Sequence, residues 1–248
     1  MLPKSAILLA AVIFLITVLV RLPATVITLF LPSAVQCRAP GGTIWRGACG
    51  ELRSGPIALS GVHWILHPLA LLRAQVSADV DSEDARAAGR AQLRLHSNGD
   101  LEIEALNATL PLQTGLSLFP AGWDGSLELA IEQAAVHAGH LTAVQGVIRA
   151  RQLHRDQPPA DFGSFELNFP RASGASTSEA GAMVGNLRDL DGPLSLQAVL
   201  QLSRSGGYEL AGTVAARDAS SAELQQLLQL LGPADGQGRH VLSLSGTL

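Results

Sequence analysis

The sequence is poor in charged and aromatic side chains. Only 15% of its 248 residues are charged and 4% are aromatic, and its single lysine is Lys4. A Walker A loop, a Schiff-base site and a Ser-Lys dyad all require a lysine, so none of them fits in the body of the chain. The 17 basic residues are outnumbered by 21 acidic ones and form no run. This excludes the broad basic face that nucleic-acid binding requires.

The usual catalytic and metal-binding motifs are also missing. The sequence contains no GxSxG, HExxH, CxxC or GxGxxG pattern. His137 and His140, with Glu132 or Asp161 as a third ligand, are the best metal candidates. Because Ala138 and Gly139 separate the two histidines, we interpret them instead as the ends of a hairpin turn. We therefore predict no enzymatic activity, no cofactor and no metal site.

The N-terminal segment is strongly apolar. Between Ser5 and Leu31 the only charge is Arg21 and the only proline is Pro23. A cleaved signal peptide is the competing interpretation, but no small-x-small cleavage site follows Val20 and apolar residues resume after Pro23. We predict a short cytoplasmic N-terminus at residues 1–4, a transmembrane anchor at residues 5–32 whose uninterrupted apolar part, Ser5 to Val20, is a single helix, and a periplasmic β-rich domain at residues 33–248.

The two cysteines support an oxidising compartment for this domain. Cys37 and Cys49 are the only ones in the chain, and they flank a Pro-Gly-Gly sequence that could turn the chain back. A disulfide would close a short loop. Two buried free thiols are the alternative, because sequence spacing alone does not give the distance between the Cα atoms.

A two-residue period dominates the rest of the chain and predicts short antiparallel strands. Two hairpins stand out, one turning at Asn98-Gly99-Asp100 and one at Ser205-Gly206-Gly207. Further strand candidates are Ile57–Val62, Gln75–Val80, Leu127–Ile131, Leu141–Leu153, Ser164–Phe169 and Val241–Leu248. The predicted fold is mainly β, an antiparallel, curved meander.

One or two short helices are predicted to pack on this sheet. A capping box at Ser220–Glu223 leads into a leucine-rich helix that stops at Gly232, and Pro68 opens a shorter helical turn that runs to Leu72. Residues 156–182 have the proline-, serine- and glycine-rich composition of a loop. The domain therefore forms either one lobe or two lobes separated near 156–182.

Four short motifs follow the apolar segment along the chain. This segment, with Leu22-Pro23-Ala24 near its end, is followed by a G-T-x-W-x-G motif and a W-x-L-x-P-x-x-L-L motif, and the C-terminal part contains G-Y-E-L-A-G and closes on S-G-T-L. Taken in this order, the motifs resemble the type II secretion system protein N family. The residues that carry the resemblance are Gly42, Thr43, Trp45, Gly47, Trp64, Pro68, Leu71, Leu72, Tyr208, Gly212 and Gly246.

The resemblance implies a single-pass protein of the bacterial inner membrane with a periplasmic body. Such a protein would serve the export of folded proteins as a non-catalytic assembly subunit. Its partners would be other secretion components in the inner membrane or the outer-membrane channel. The family is also distantly similar to AsmA-like proteins, which implies an alternative: an envelope protein that binds or moves lipid along an apolar β-groove.

Overall fold

A computed structural model describes residues 4–29, 31, 35–55, 57–84, 87–112, 122–157, 159–171, 182–217 and 222–247. Thirteen antiparallel strands form one sheet, and each strand pairs with its neighbours in sequence, from β1 at one edge to β13 at the other. The strands are β1 (Val35–Gly42), β2 (Arg46–Ser54), β3 (Ile57–Leu66), β4 (Gln75–Ser82), β5 (Gly89–His96), β6 (Leu101–Pro111), β7 (Trp123–His137), β8 (His140–Arg155), β9 (Ala160–Phe169), β10 (Met183–Asp191), β11 (Leu194–Leu202), β12 (Gly207–Ala216) and β13 (His240–Thr247).

Four short helices accompany the sheet. They are the α-helices α1 (Lys4–Val20) and α2 (Ala222–Gln229), a first 3-10 helix (Ala24–Leu29) and a second 3-10 helix (Pro68–Arg73). Among the described residues, none of the helices combines the length and the hydropathy that crossing a membrane requires. The predicted mainly β, antiparallel meander with few helices is confirmed.

Most of the predicted elements are present. Both predicted hairpins form, and each of the six further strand candidates lies within an observed strand over its described residues. The leucine-rich helix is α2, although Ser220 and Ser221 of its predicted capping box lie outside the described residues. The short helical turn after Pro68 is the second 3-10 helix.

One expectation needs correction. Residues 156–182 are not loop throughout, because Ala160–Phe169 forms β9 and pairs with both β8 and β10, so the sheet continues across the predicted division. The uninterrupted apolar part of the N-terminal segment lies in α1, which ends at Val20. Pro23 has no backbone N–H and cannot continue an α-helix, and the first 3-10 helix that follows packs against β1 and β2.

Each face of the sheet has its own chemistry. Residues directly opposite each other on neighbouring strands share a face. One row of such partners crosses all thirteen strands without a charged residue: Pro40, Cys49, Val62, Ser82, Gly89, Ala108, Leu129, Ile148, Leu167, Leu187, Ala198, Gly212 and Leu242. We call the side of the sheet that carries this row the apolar face and the other side the polar face.

The apolar face is covered by helices near the two edges of the sheet. At one edge Ala24 of the first 3-10 helix is buried with Cys49, Val62 and Trp64. Near the other, α2 is buried against β11 and β12. None of the described residues of β5–β8 belongs to either cluster. The chain exposes 15730 Å² of surface, whereas a compact monomer of its 25.9 kDa mass would expose roughly 10,500 Å², as expected for a single open layer.

Candidate functional site

The first hairpin of the sheet is hydrogen-bonded to the end of α1. In a continuous α-helix the carbonyl of Leu19 would accept a hydrogen bond from the backbone of residue 23, but that residue is proline. Instead, the indole Nε1 of Trp45 donates to the Leu19 carbonyl at 2.8 Å. The backbone N–H of Ile44 donates to the Leu22 carbonyl at 3.0 Å. The G-T-x-W-x-G motif therefore joins the apolar helix to the sheet.

Trp64 packs against this hairpin on the apolar face of the sheet. Its side chain is buried on the apolar face, and its Nε1 donates to the Ile44 carbonyl at 3.0 Å. Gly47 lies directly opposite on β2, where an added Cβ would stand 2.2 Å from Trp64 Cζ2. Gly42 has a φ of +82°, and a Cβ there would stand 2.6 Å from the Arg46 carbonyl oxygen. Both glycines are thus required by sterics.

A disulfide bond joins Cys37 of β1 to Cys49 of β2, with the two Cα atoms 5.7 Å apart. Both residues contribute to the cluster around Trp64. The bond fastens the edge strand to its neighbour where the first 3-10 helix packs.

The later family residues lie at the opposite edge of the sheet. Tyr208 and Gly212 are on β12, and Gly246 is on β13. A Cβ at Gly246 would stand 2.8 Å from Tyr208 Cε1, and a Cβ at Gly212 would stand 2.4 Å from Ala198 Cα. The two halves of the family pattern therefore do not converge on one site. Close packing within the sheet explains the glycines of both halves.

The W-x-L-x-P-x-x-L-L motif contributes an exposed element. Pro68 is the first residue of the second 3-10 helix, whose chain ends at Ala74 in the left-handed conformation with φ 55°. Leu71 is 49% exposed, while Leu69 and Leu72 are 77% and 84% exposed. The sequence predicts this turn as one of the short helices that pack on the sheet, but none of its residues is buried. Their exposure could not be predicted, because an apolar run reads equally well as core.

The two edges of the sheet differ. The β1 edge carries Pro40, which lacks an N–H, and is contacted by the first 3-10 helix. Among the described residues, β13 pairs only with β12. It contains no proline and no Asp, Glu, Lys or Arg, and its Val241 and Leu244 are 67% and 51% exposed. Natural sheets normally protect such an edge with charge, proline or a covering segment.

A ladder of alternating charges lies on the polar face. Glu128, Arg149, Glu166 and Arg188 stand directly opposite one another on β7, β8, β9 and β10. Glu166 is buried and accepts hydrogen bonds from Arg149 Nε at 2.8 Å and from Arg188 Nη2 at 2.6 Å. Burial raises the pKa of the Glu166 carboxyl, but the hydrogen bonds from Arg188 and Arg149 outweigh it and hold the pKa below its ordinary value. The ion pairs of this ladder link neighbouring strands, so we interpret the ladder as structural.

No metal cluster appears in the part of the chain that the structure describes. No three residues of the His, Cys, Asp and Glu types come together there as a metal site. His137 ends β7 and His140 begins β8, so the turn between them is the predicted hairpin, and the His137 ring contacts Asp100 of the neighbouring turn.

Over the described residues, the protein is a single-layer antiparallel sheet with an apolar helix bound to its first hairpin, a free strand edge at β13 and an apolar face that helices cover only near the two edges. Residues 33–243 match the family model described as "Type II secretion system (T2SS), protein N". The chain belongs to this family, which confirms the resemblance drawn from the sequence motifs.

Two curated relatives cover almost the whole chain. Type II secretion system protein N of Aeromonas hydrophila is 26% identical over 257 residues, which cover 99% of this chain and 100% of the relative. Type II secretion system protein N of Vibrio cholerae serotype O1 is 23% identical over 252 residues, covering 97% of both chains. No solved structure matches the chain.

Proposed function

We propose that this protein is a non-catalytic assembly subunit of the type II secretion system, anchored in the bacterial inner membrane by α1 with its sheet in the periplasm. Membership of the protein N family supports a role in this secretion system. The anchor is supported by the sequence of α1, which has no charged residue between Ser5 and Val20 and has Lys4 and Arg21 at its ends. A disulfide is typical of an oxidising compartment such as the periplasm.

The unprotected β13 edge carries the assembly role in this proposal. An extended segment of another secretion component adds as a further strand, because no described residue pairs with the outward backbone N–H and C=O groups of this eight-residue strand and the strand carries no Asp, Glu, Lys or Arg. Exposed Val241 and Leu244 lie on opposite faces of β13, so side chains of the added strand find an apolar contact on each face.

Site-specific photocrosslinking in membranes tests this interaction. A photoreactive residue at Ser243 should capture another secretion component, whereas the same residue at Arg38 on the opposite edge should not. Val241→Lys should reduce capture from Ser243, because lysine on an edge strand discourages further pairing. Capture from Arg38 alone, or capture from Ser243 that Val241→Lys leaves unchanged, would refute β13 as the docking edge.

A second candidate function, lipid binding along the apolar face, is favoured by one observation. Strands β5 and β6 carry two directly opposed pairs of apolar side chains, Leu93 with Ile103 and Leu95 with Leu101. Both pairs lie outside the two helix-covered clusters, and Leu95 is 45% exposed. Acyl chains would fit such a surface better than water does.

Lipid extraction from the purified full chain separates this candidate from the first. Ile103→Asn on the apolar face should lower the amount of co-purified phospholipid, and Glu102→Asn on the polar face of the same strand should not. Lipid binding would be eliminated if the native chain and both variants carried the same amount of phospholipid and this amount equalled that of a detergent sample without protein.

A further inference from the structure

The second 3-10 helix (Pro68–Arg73) has exposed leucines that no packing role explains. A 3-10 helix has three residues per turn, so Leu69 and Leu72 stand on one face, at 77% and 84% exposure. Each is among the most exposed large apolar side chains that the structure describes. Packing of the motif does not require them, because the helix is held by backbone bonds, including His67 N–H to the Ser77 carbonyl at 2.9 Å.

The strand topology places this helix beside the end of α1. The helix connects β3 to β4 at the end of the sheet where the β1–β2 turn lies, and the Leu66 N–H donates to the Trp45 carbonyl at 2.8 Å. Trp45 in turn binds the Leu19 carbonyl of α1 through its indole. Two hydrogen bonds therefore connect Leu66, which ends β3 shortly before the second 3-10 helix, through Trp45 to the last turn of the apolar helix.

Basic side chains surround the same place. Arg21 follows α1, Arg46 opens β2 and Arg73 ends the second 3-10 helix; all three are exposed, and none forms an ion pair with another described residue. The nearby carboxylate of Asp79 is bound to His67 at 2.8 Å. Exposed leucines flanked by arginines are the chemistry of a segment that rests in a bilayer interface and meets anionic headgroups.

We infer that the second 3-10 helix inserts Leu69 and Leu72 into the interfacial layer of the membrane that holds α1. This gives the sheet a second contact with the lipid besides α1, and two contacts fix its orientation on the membrane. The inference rests on the proposed anchoring by α1. The occupant of this surface is a lipid bilayer rather than a protein.

Depth-dependent fluorescence quenching tests the inference on the full chain. Because Cys37 and Cys49 are bonded to each other, a single introduced cysteine can be labelled with an environment-sensitive dye. Leu69→Cys and Leu72→Cys are the test positions, Leu15→Cys in α1 reports on the anchor, and Leu230→Cys, which is 82% exposed at the other end of the sheet, is the matched control. The labelled proteins are reconstituted in phosphatidylethanolamine–phosphatidylglycerol vesicles with a lipid quencher that is spin-labelled near the headgroup or deep in the acyl chain.

The expected result is loss of fluorescence at Leu69→Cys and Leu72→Cys with the shallow quencher, at Leu15→Cys with the deep quencher, and at Leu230→Cys with neither. Quenching at Leu15→Cys without quenching at the two test positions would overturn the inference and leave the anchor standing. Absence of quenching at Leu15→Cys would overturn the anchor and the inference together. Quenching of Leu230→Cys by the shallow quencher to the same extent as the test positions would show unspecific adsorption and also overturn the inference.

Discussion

Replacement of Gly47 by alanine should destabilise the first hairpin strongly, because the new methyl group has no space. An added Cβ would stand 2.2 Å from Trp64 Cζ2 and 2.8 Å from the Thr43 carbonyl oxygen. The indole must move, and its hydrogen bond to the Ile44 carbonyl at 3.0 Å is then lost or weakened. Overpacking costs about 1–3 kcal/mol and a hydrogen bond contributes about 1 kcal/mol, so we expect a loss of about 2–4 kcal/mol.

Gly41→Ala is the matched control for this substitution. Gly41 lies on the neighbouring strand, directly opposite Ala48, and nothing stands within 4 Å of the Cβ that alanine would add. Its cost should stay within about 0.5 kcal/mol, as for surface substitutions in general. Urea unfolding of the full chain in detergent, followed by far-ultraviolet circular dichroism, gives the free energy of unfolding for each variant.

A double-mutant cycle then isolates the contact itself. In a Trp64→Leu background the ring that Gly47→Ala would strike is gone, so the alanine should cost about 1–3 kcal/mol less there than in the native background. The reasoning is refuted if Gly47→Ala and Gly41→Ala lower the unfolding midpoint equally. It is also refuted if the cost of Gly47→Ala is unchanged when Trp64 is replaced.

Three further perturbations test other parts of the structure. Replacing both Cys37 and Cys49 by alanine should lower the free energy of unfolding by about 3 kcal/mol, the chain-entropy value for so short a loop. An unchanged thermal midpoint of unfolding in this variant would contradict the prediction. Glu166→Gln should cost about 2 kcal/mol because two arginines lose their buried partner, while Glu209→Gln on an exposed site should cost less than about 0.5 kcal/mol. Because the folded pKa of Glu166 is lowered, its stabilisation is present above the ordinary value of 4.5 and is lost as the pH falls through the lower folded value; acid titration of stability should show a shallower fall in Glu166→Gln than in the native chain. Trp45→Phe should cost about 1 kcal/mol by removing the indole hydrogen bond to α1, and unchanged urea unfolding would show that this bond contributes nothing.

The strands that sequence reasoning found contain stretches in which the two-residue period is clear. β11 and β12 alternate apolar and polar residues except at Val199, Ala211 and Ala215, and their hairpin turn carries two consecutive glycines. The strands it missed, β1, β2 and β10, lack this regularity. β1 contains Pro40 and two glycines, and a residue in the left-handed region, Ala39 with φ 52°, interrupts its alternation.

The candidate surfaces were harder to predict from the sequence than the strands. The motif glycines could be recognised as a sequence pattern. The steric need for glycine could not, because it comes from contact with Trp64 in one place and with Tyr208 in another and so depends on which strands become neighbours. Exposure of the β13 edge depends on the strand order of the whole sheet. Periodicity reports which residues share a face, not whether that face or edge is covered.

The left-handed residues within strands keep the apolar face continuous. At Ala105, with φ 50°, the register of β6 against β5 shifts by one, so Ile103 and Leu106 fall on the same face although an odd number of positions separates them. Without this bulge, one half of the long strand would turn its apolar side chains to the polar face. The continuous apolar face is thus built by local irregularities in the backbone. The proposed lipid binding would use side chains of that face, and the proposed strand addition would use backbone groups of the β13 edge, so we expect Ile103→Asn and Val241→Lys to affect the two proposed functions independently.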